Sequence, residues 1–68
     1  MKEVAKINGV AVYSDKTLQA TINNEIHFTD GSWCNVSTGE IVNNGDGKII
    51  FDKNDYKDDG NNTLEMVL

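Results

Sequence analysis

The chain has 68 residues, a formal net charge of −5 and neither arginine nor proline. Arginine suits bidentate contacts with phosphate and guanine, and anionic lipid repels acidic protein, so direct binding to nucleic acid or to a membrane is disfavoured. A domain this short buries only about 60% of the surface that its unfolded chain exposes, so we expect another protein or further copies of itself as partner.

Short runs rich in β-branched and aromatic residues alternate with turn signals such as Asn8-Gly9 and Asp30-Gly31. This is the pattern of successive β-hairpins. It predicts an all-β fold in a single domain, a small antiparallel meander of about six to eight short strands curled into a barrel or a two-layer roll. The predicted strands are Val4–Ile7, Val10–Tyr13, Leu18–Ile22, Glu25–Phe28, Ser32–Val36, Glu40–Val42 and Lys48–Phe51.

Three of these strands show the alternation expected when one face of a sheet is buried. We expect each alternating set to lie on one face, with the intervening residues on the other. The three sets are Val10 with Val12, Leu18 with Ala20 and Ile22, and Ile26 with Phe28.

The sequence allows two registers for the hairpin around Asp30-Gly31, and the register decides which side chains are exposed to water. A two-residue loop pairs Phe28 with Trp33, which places the tryptophan in the core, and it pairs His27 with Cys34. The ordinary burial of aromatic side chains favours this arrangement.

A three-residue loop, with Gly31 in the left-handed conformation, instead pairs His27 with Trp33. The tryptophan then stands outside the core, beside the histidine, where it would be a natural anchor for a partner. The apolar face of the hairpin in this register consists of Ile26, Phe28, Cys34 and Val36.

Two patterns resemble functional sites, a catalytic pair and a calcium-binding loop, but each lacks residues that such a site requires. Cys34 and His27 could form a thiolate–imidazole pair, but no third group orients them. Residues 44–49 resemble the middle of a calcium loop, yet Val42 and Lys53 stand where that loop requires a carboxylate. The lone cysteine excludes an internal disulfide, and with one histidine the chain lacks ligands for a closed zinc site. We therefore expect no enzyme activity, catalytic residue, metal or cofactor.

The C-terminal part changes composition. We expect residues 52–62 to form a polar acidic loop, and residues 63–68 are apolar enough for a terminal strand in this chain or a neighbour. The single cysteine and the polar start of the chain favour a cytoplasmic location.

These observations predict a non-enzymatic protein-interaction or assembly module of a bacterial or phage protein. Unpaired edges at Val4–Ile7 or Leu64–Leu68 would add a partner's strand. The alternative is an acidic inhibitor that occupies a basic nucleic-acid-binding or enzyme surface. The candidate partner-binding residues are Trp33, Tyr13, Tyr56, Asp52, Asp55, Asp58 and Asp59.

Overall fold

The computed structural model describes residues 1–57 and 64–66, and its regular structure is β apart from one 3-10 turn, Lys53–Asp55. The all-β class is confirmed, and the seven predicted strands agree with the observed ones to within about two residues. No helix in these residues has the length and apolarity to cross a membrane. The strands are β1 Lys2–Ile7, β2 Val10–Ser14, β3 Leu18–Ile22, β4 Glu25–Phe28, β5 Trp33–Asn35, β6 Ile41–Val42, β7 Ile49–Ile50 and β8 Leu64–Met66.

The strands form two antiparallel sheets of four strands each. The first sheet has the order β7-β2-β1-β8, so the hairpin β1–β2 is flanked by two strands from later in the chain. The second sheet, β3-β4-β5-β6, is a simple meander. The described residues form these two sheets and no closed barrel.

The prediction that Val4–Ile7 is an unpaired edge strand is wrong. Val4–Ile7 lies inside the first sheet, because β1 pairs with β2 on one side and with β8 on the other. Strand β8 pairs within the same chain, with Ile7 opposite Leu64 and Ala5 opposite Met66. Residues 67 and 68, the end of the predicted terminal strand, lie outside the described residues.

The first hairpin turns where the sequence predicts it. Ile7 pairs with Val10, and the two residues between them have φ angles of 49° at Asn8 and 88° at Gly9. Two successive positive φ angles suit the right-handed twist of the strands, and Asn-Gly is the pair that adopts them most readily.

The inner faces of both sheets contribute to one hydrophobic core. The predicted inward faces of β2 and β4 are confirmed, because Val10 and Val12 of β2 and Ile26 and Phe28 of β4 are fully buried. The buried core residues are Val4, Ala5, Ile7, Val10, Val12, Ile26, Phe28, Cys34, Val36 and Ile49, with Leu18, Phe51 and Tyr56 packed against them.

The predicted common face of Leu18, Ala20 and Ile22 is wrong. Leu18 pairs with Phe28 on the inner face, but Ala20 pairs with His27, so β3 contains one extra residue at this point. Such a bulge reverses the alternation beyond it. Ala20 and Ile22 are therefore exposed on the outer face.

The buried ammonium group of Lys16 joins three segments of the chain. The side chain is 5% exposed, and its Nζ donates to Asp30 Oδ2 at 2.5 Å and to the carbonyl oxygens of Asn44 and Asp46 at 2.9 and 2.8 Å. All three donors of the ammonium group therefore have acceptors. The loop that resembles a calcium site binds this internal cation through its main chain.

The pKa of the Asp30 carboxyl is lowered to about 2, from an ordinary value of 3.8, mainly by the hydrogen bond from Lys16. A carboxyl whose pKa is lower in the folded state stabilises the fold above pH 3.8, and this contribution disappears as the pH falls towards 2. We expect wild type to melt at a higher temperature than Asp30→Asn at neutral pH, with the difference vanishing near pH 2. Thermal melts across this range test the expectation, and a difference independent of pH would contradict it.

Candidate interaction surface

The hairpin β4–β5 has the longer of its two possible loops. His27 pairs with Trp33, Ile26 pairs with Cys34, and the Phe28 N–H donates to the Ser32 carbonyl oxygen at 2.8 Å. The favoured expectation, a two-residue loop with Trp33 in the core, is therefore wrong.

Two features explain the longer loop. Gly31 has a φ of 89°, a left-handed conformation that glycine adopts without a steric cost. The Asp30 carboxylate accepts from the Ser32 N–H at 2.9 Å and binds the Lys16 ammonium. The loop is thus held by a contact with a residue from outside the hairpin.

One row of paired residues crosses all four strands of the second sheet on its outer face. The pairs are Ala20 with His27, His27 with Trp33, and Trp33 with Val42. We call Ala20, His27, Trp33 and Val42 the aromatic row. Its ends are aliphatic and its centre is aromatic.

The two central rings of the aromatic row stack on each other. The centroids of His27 and Trp33 are 5.8 Å apart, and the ring planes differ by 16°. His27 Nε2 also lies 2.9 Å from Glu25 Oε1. The histidine is therefore held between a carboxylate and the indole, and the stack orients the half-buried Trp33 on the surface of the sheet.

A second row of paired residues, Ile22, Glu25 and Asn35, lies beside the aromatic row on the outer face. Ile22 pairs with Glu25, and Glu25 pairs with Asn35. The Ile22 side chain is 56% exposed, and the Asn35 Oδ1 accepts the N–H groups of Ser37 and Thr38 at 2.9 and 3.2 Å. The outer face thus combines exposed apolar area with polar groups at one side.

Cys34 and His27 lie on opposite faces of the second sheet. Ile26 and Cys34 are fully buried on the inner face, whereas His27 stacks on Trp33 outside. Burial raises the pKa of the Cys34 thiol to about 11, so the thiol stays protonated near neutral pH. The hypothesis of a thiolate–imidazole pair is therefore wrong, because the observed register separates the two side chains.

The other aromatic candidates do not join Trp33 in one site. Tyr13 is 41% exposed on β2 of the first sheet, where it pairs with Glu3 and Ile50. Tyr56 is half-buried against the core, and its hydroxyl oxygen lies 3.4 Å from Asn24 Oδ1. Tyr13 is thus available at a separate surface, while Tyr56 mainly packs within the chain.

The acidic candidates are only partly described. The Asp52 carboxylate accepts the Asn54 N–H at 2.9 Å and so caps the 3-10 turn, and Asp55 is exposed within that turn. Asp58 and Asp59 lie outside the described residues. Within the described ranges, no three His, Cys, Asp or Glu side chains group closely enough to hold a metal ion.

A shallow pocket lies beside β6. Its volume of about 290 Å³ is at the lower limit of the roughly 300–1,000 Å³ typical of small-molecule sites. Ile41 and Phe51 provide its apolar surface, and Asp52 and Lys53 lie at its border.

The geometry defines an all-β domain whose second sheet carries the aromatic row on its outer face. Comparisons with protein-family models, with curated proteins and with solved structures found no match. The residues that sequence reasoning missed are Lys16, whose position in a polar turn gives no sign of burial, and Ile22 and Val42, whose exposure depends on the bulge and on the hairpin register.

Proposed function

We propose that this chain is a non-enzymatic protein-interaction or assembly module, and that its partner docks on the outer face of the second sheet. The stack of His27 on Trp33 in the centre of the aromatic row is the observation that carries the proposal. We also infer that the two sheets form a two-layer roll, because both contribute side chains to one core.

The composition of this face favours a protein as the partner. Binding energy in protein interfaces concentrates on tryptophan, tyrosine and arginine near the centre of the patch, surrounded by residues that exclude water. Trp33 occupies such a central position, with Val42 and Ala20 at the ends of its row and Glu25 at the border. The stack holds the indole in place before binding, which lowers the entropy lost on association.

A matched pair of variants tests the proposal. We expect Trp33→Ala to weaken capture of the partner from a lysate of the source cell by about 30-fold or more, the effect of losing a central anchor. Tyr13→Ala removes an exposed aromatic ring from the other sheet and should leave capture unchanged. Circular dichroism verifies that both variants are folded. Equal capture by wild type and folded Trp33→Ala would refute docking on this face.

The acidic inhibitor is the alternative function, and the net charge of −5 supports it. Its capture of a basic partner would weaken strongly at high salt, since screening reduces attraction between charged surfaces. It would also weaken on changing four aspartates to asparagine: Asp52, Asp55, Asp58 and Asp59. Docking on the aromatic row predicts the reverse pattern, with capture retained at high salt and lost in Trp33→Ala.

A further inference from the structure

Strand β3 is an edge of the second sheet that has a bulge at Gln19 but no charged side chain or proline to discourage pairing. It is five residues long, and among the described residues its strand partner is β4 alone. Natural proteins protect such edges with charged side chains, proline, bulges or a covering segment. The eight residues from Thr17 to Asn24 contain neither a charged side chain nor proline.

The bulge at Gln19 leaves Ala20–Ile22 as the regular part of this edge. The Ile22 side chain is 56% exposed beside the exposed Ala20. Among the residues that the structure describes, no further strand covers this edge, so an isolated monomer would present main-chain groups next to apolar surface, the arrangement that invites an added strand.

We infer that two copies of this chain associate through β3, as an antiparallel pair about a two-fold axis at Thr21. This register sets Ile22 of each copy opposite Ala20 of the other, so a large aliphatic side chain meets a small one twice. An interface between identical surfaces must be self-complementary in this way. The association uses the edge of the sheet, and it shares only Ala20 with the aromatic row.

Charge favours a second copy as the occupant of this edge. Two copies that each carry a net charge of −5 repel one another, so they meet most easily where the surface is uncharged. The other edge strands have charged residues in or next to them: β6 follows Glu40, β7 follows Lys48, and β8 contains Glu65. A basic or acidic partner would have no opposite charge to recognise at β3.

The paired sheets would form one continuous sheet of eight strands. Five inter-strand spacings, or about 24 Å, would separate the two β5 strands that carry Trp33. A dimer would thus present two aromatic rows on one face. The regular pairing is short, so we expect a weak dimer with a dissociation constant between about 10 µM and about 1 mM.

Two exposed isoleucines provide the test. Ile22 is 56% exposed on β3, and Ile50 is 51% exposed on the edge strand β7, so Ile22→Lys and Ile50→Lys are matched surface changes. Sedimentation equilibrium from about 10 µM to about 1 mM should show the wild-type mass rising from 7.5 kDa towards twice that value. We expect Ile50→Lys to behave like wild type and Ile22→Lys to raise the dissociation constant at least ~10-fold.

Two outcomes would overturn the inference. A wild-type mass of 7.5 kDa throughout the concentration range would exclude the dimer, and equal dimerisation of folded Ile22→Lys and wild type would exclude the β3 edge. The measurement requires no partner protein. Its failure would therefore leave the docking proposal intact, and loss of the docking proposal would leave the dimer intact.

Discussion

Replacing Lys16 with methionine is expected to lower the free energy of unfolding by about 3 kcal/mol or more. The ammonium group donates to the carbonyl oxygens of Asn44 and Asp46, and hydrogen bonds to a charged group are worth roughly 1.5–3 kcal/mol each. Methionine keeps much of the apolar stem but offers no donor. Because a domain of this length has a total stability of only about 3–10 kcal/mol, much of the variant should be unfolded. Urea unfolding followed by circular dichroism measures the loss.

Lys48→Met is the matched control for this variant. Lys48 is exposed, and it belongs to the loop that Lys16 holds, so its replacement removes the same charge without removing the buried contacts. We expect its stability to stay within about 0.5 kcal/mol of wild type. If Lys16→Met were as stable as Lys48→Met, the buried ammonium would not hold this loop to the rest of the fold.

Phe28→Ala is expected to unfold the chain or to leave it marginally folded. Phe28 is fully buried and is the largest side chain of the core, where both sheets contribute. Truncation of a buried phenylalanine costs about 3–5 kcal/mol, since it loses apolar burial and leaves a cavity. That loss equals much of the stability expected for 68 residues. Thermal and urea unfolding provide the measurement.

Two further variants serve as controls for Phe28→Ala: Phe28→Leu, a smaller truncation at the same site, and Tyr13→Ala, a truncation at the surface. Leucine fills part of the space and should restore part of the lost stability, because the penalty grows with the remaining cavity. Tyr13 is exposed, so its truncation should have a much smaller effect. A Phe28→Ala variant as stable as Tyr13→Ala would show that the core is not centred on Phe28.

The local part of the fold could be predicted from the sequence. Asn8-Gly9 marks its turn because few other residue pairs accept two positive φ angles. The alternation of Val10 with Val12 and of Ile26 with Phe28 indicates which faces are buried. Both signals act between neighbouring residues, so they can be interpreted without the rest of the chain.

The non-local part could not be predicted in this way. The order of the first sheet depends on β7 and β8 returning to β2 and β1, and no local pattern specifies these pairings. The bulge at Gln19 reversed the faces of Ala20 and Ile22, although their spacing fits a regular strand. The sequence alone thus predicts the strands and the meander of the second sheet, but not the order of the first sheet.

The candidate site likewise has a local part that the sequence predicts and a non-local part that it does not. Residue type predicts Trp33 as a candidate anchor, but its exposure depends on a loop that Asp30 fixes through Lys16, a residue distant from the hairpin turn. The aromatic row is defined by three strand pairings, and it becomes visible only when all three registers are known. Residue type thus suggested the anchor, and the tertiary structure supplied its surroundings.

The fluorescence of Trp33, the single tryptophan of the chain, tests docking on the aromatic row most directly. The captured partner, purified and with its own tryptophans replaced by phenylalanine, would be titrated into this protein. Docking on the aromatic row predicts a saturable blue shift of the emission, because the half-buried indole loses its remaining contact with water. Saturated binding without any change in the emission of Trp33 would contradict the proposal and place the interface elsewhere.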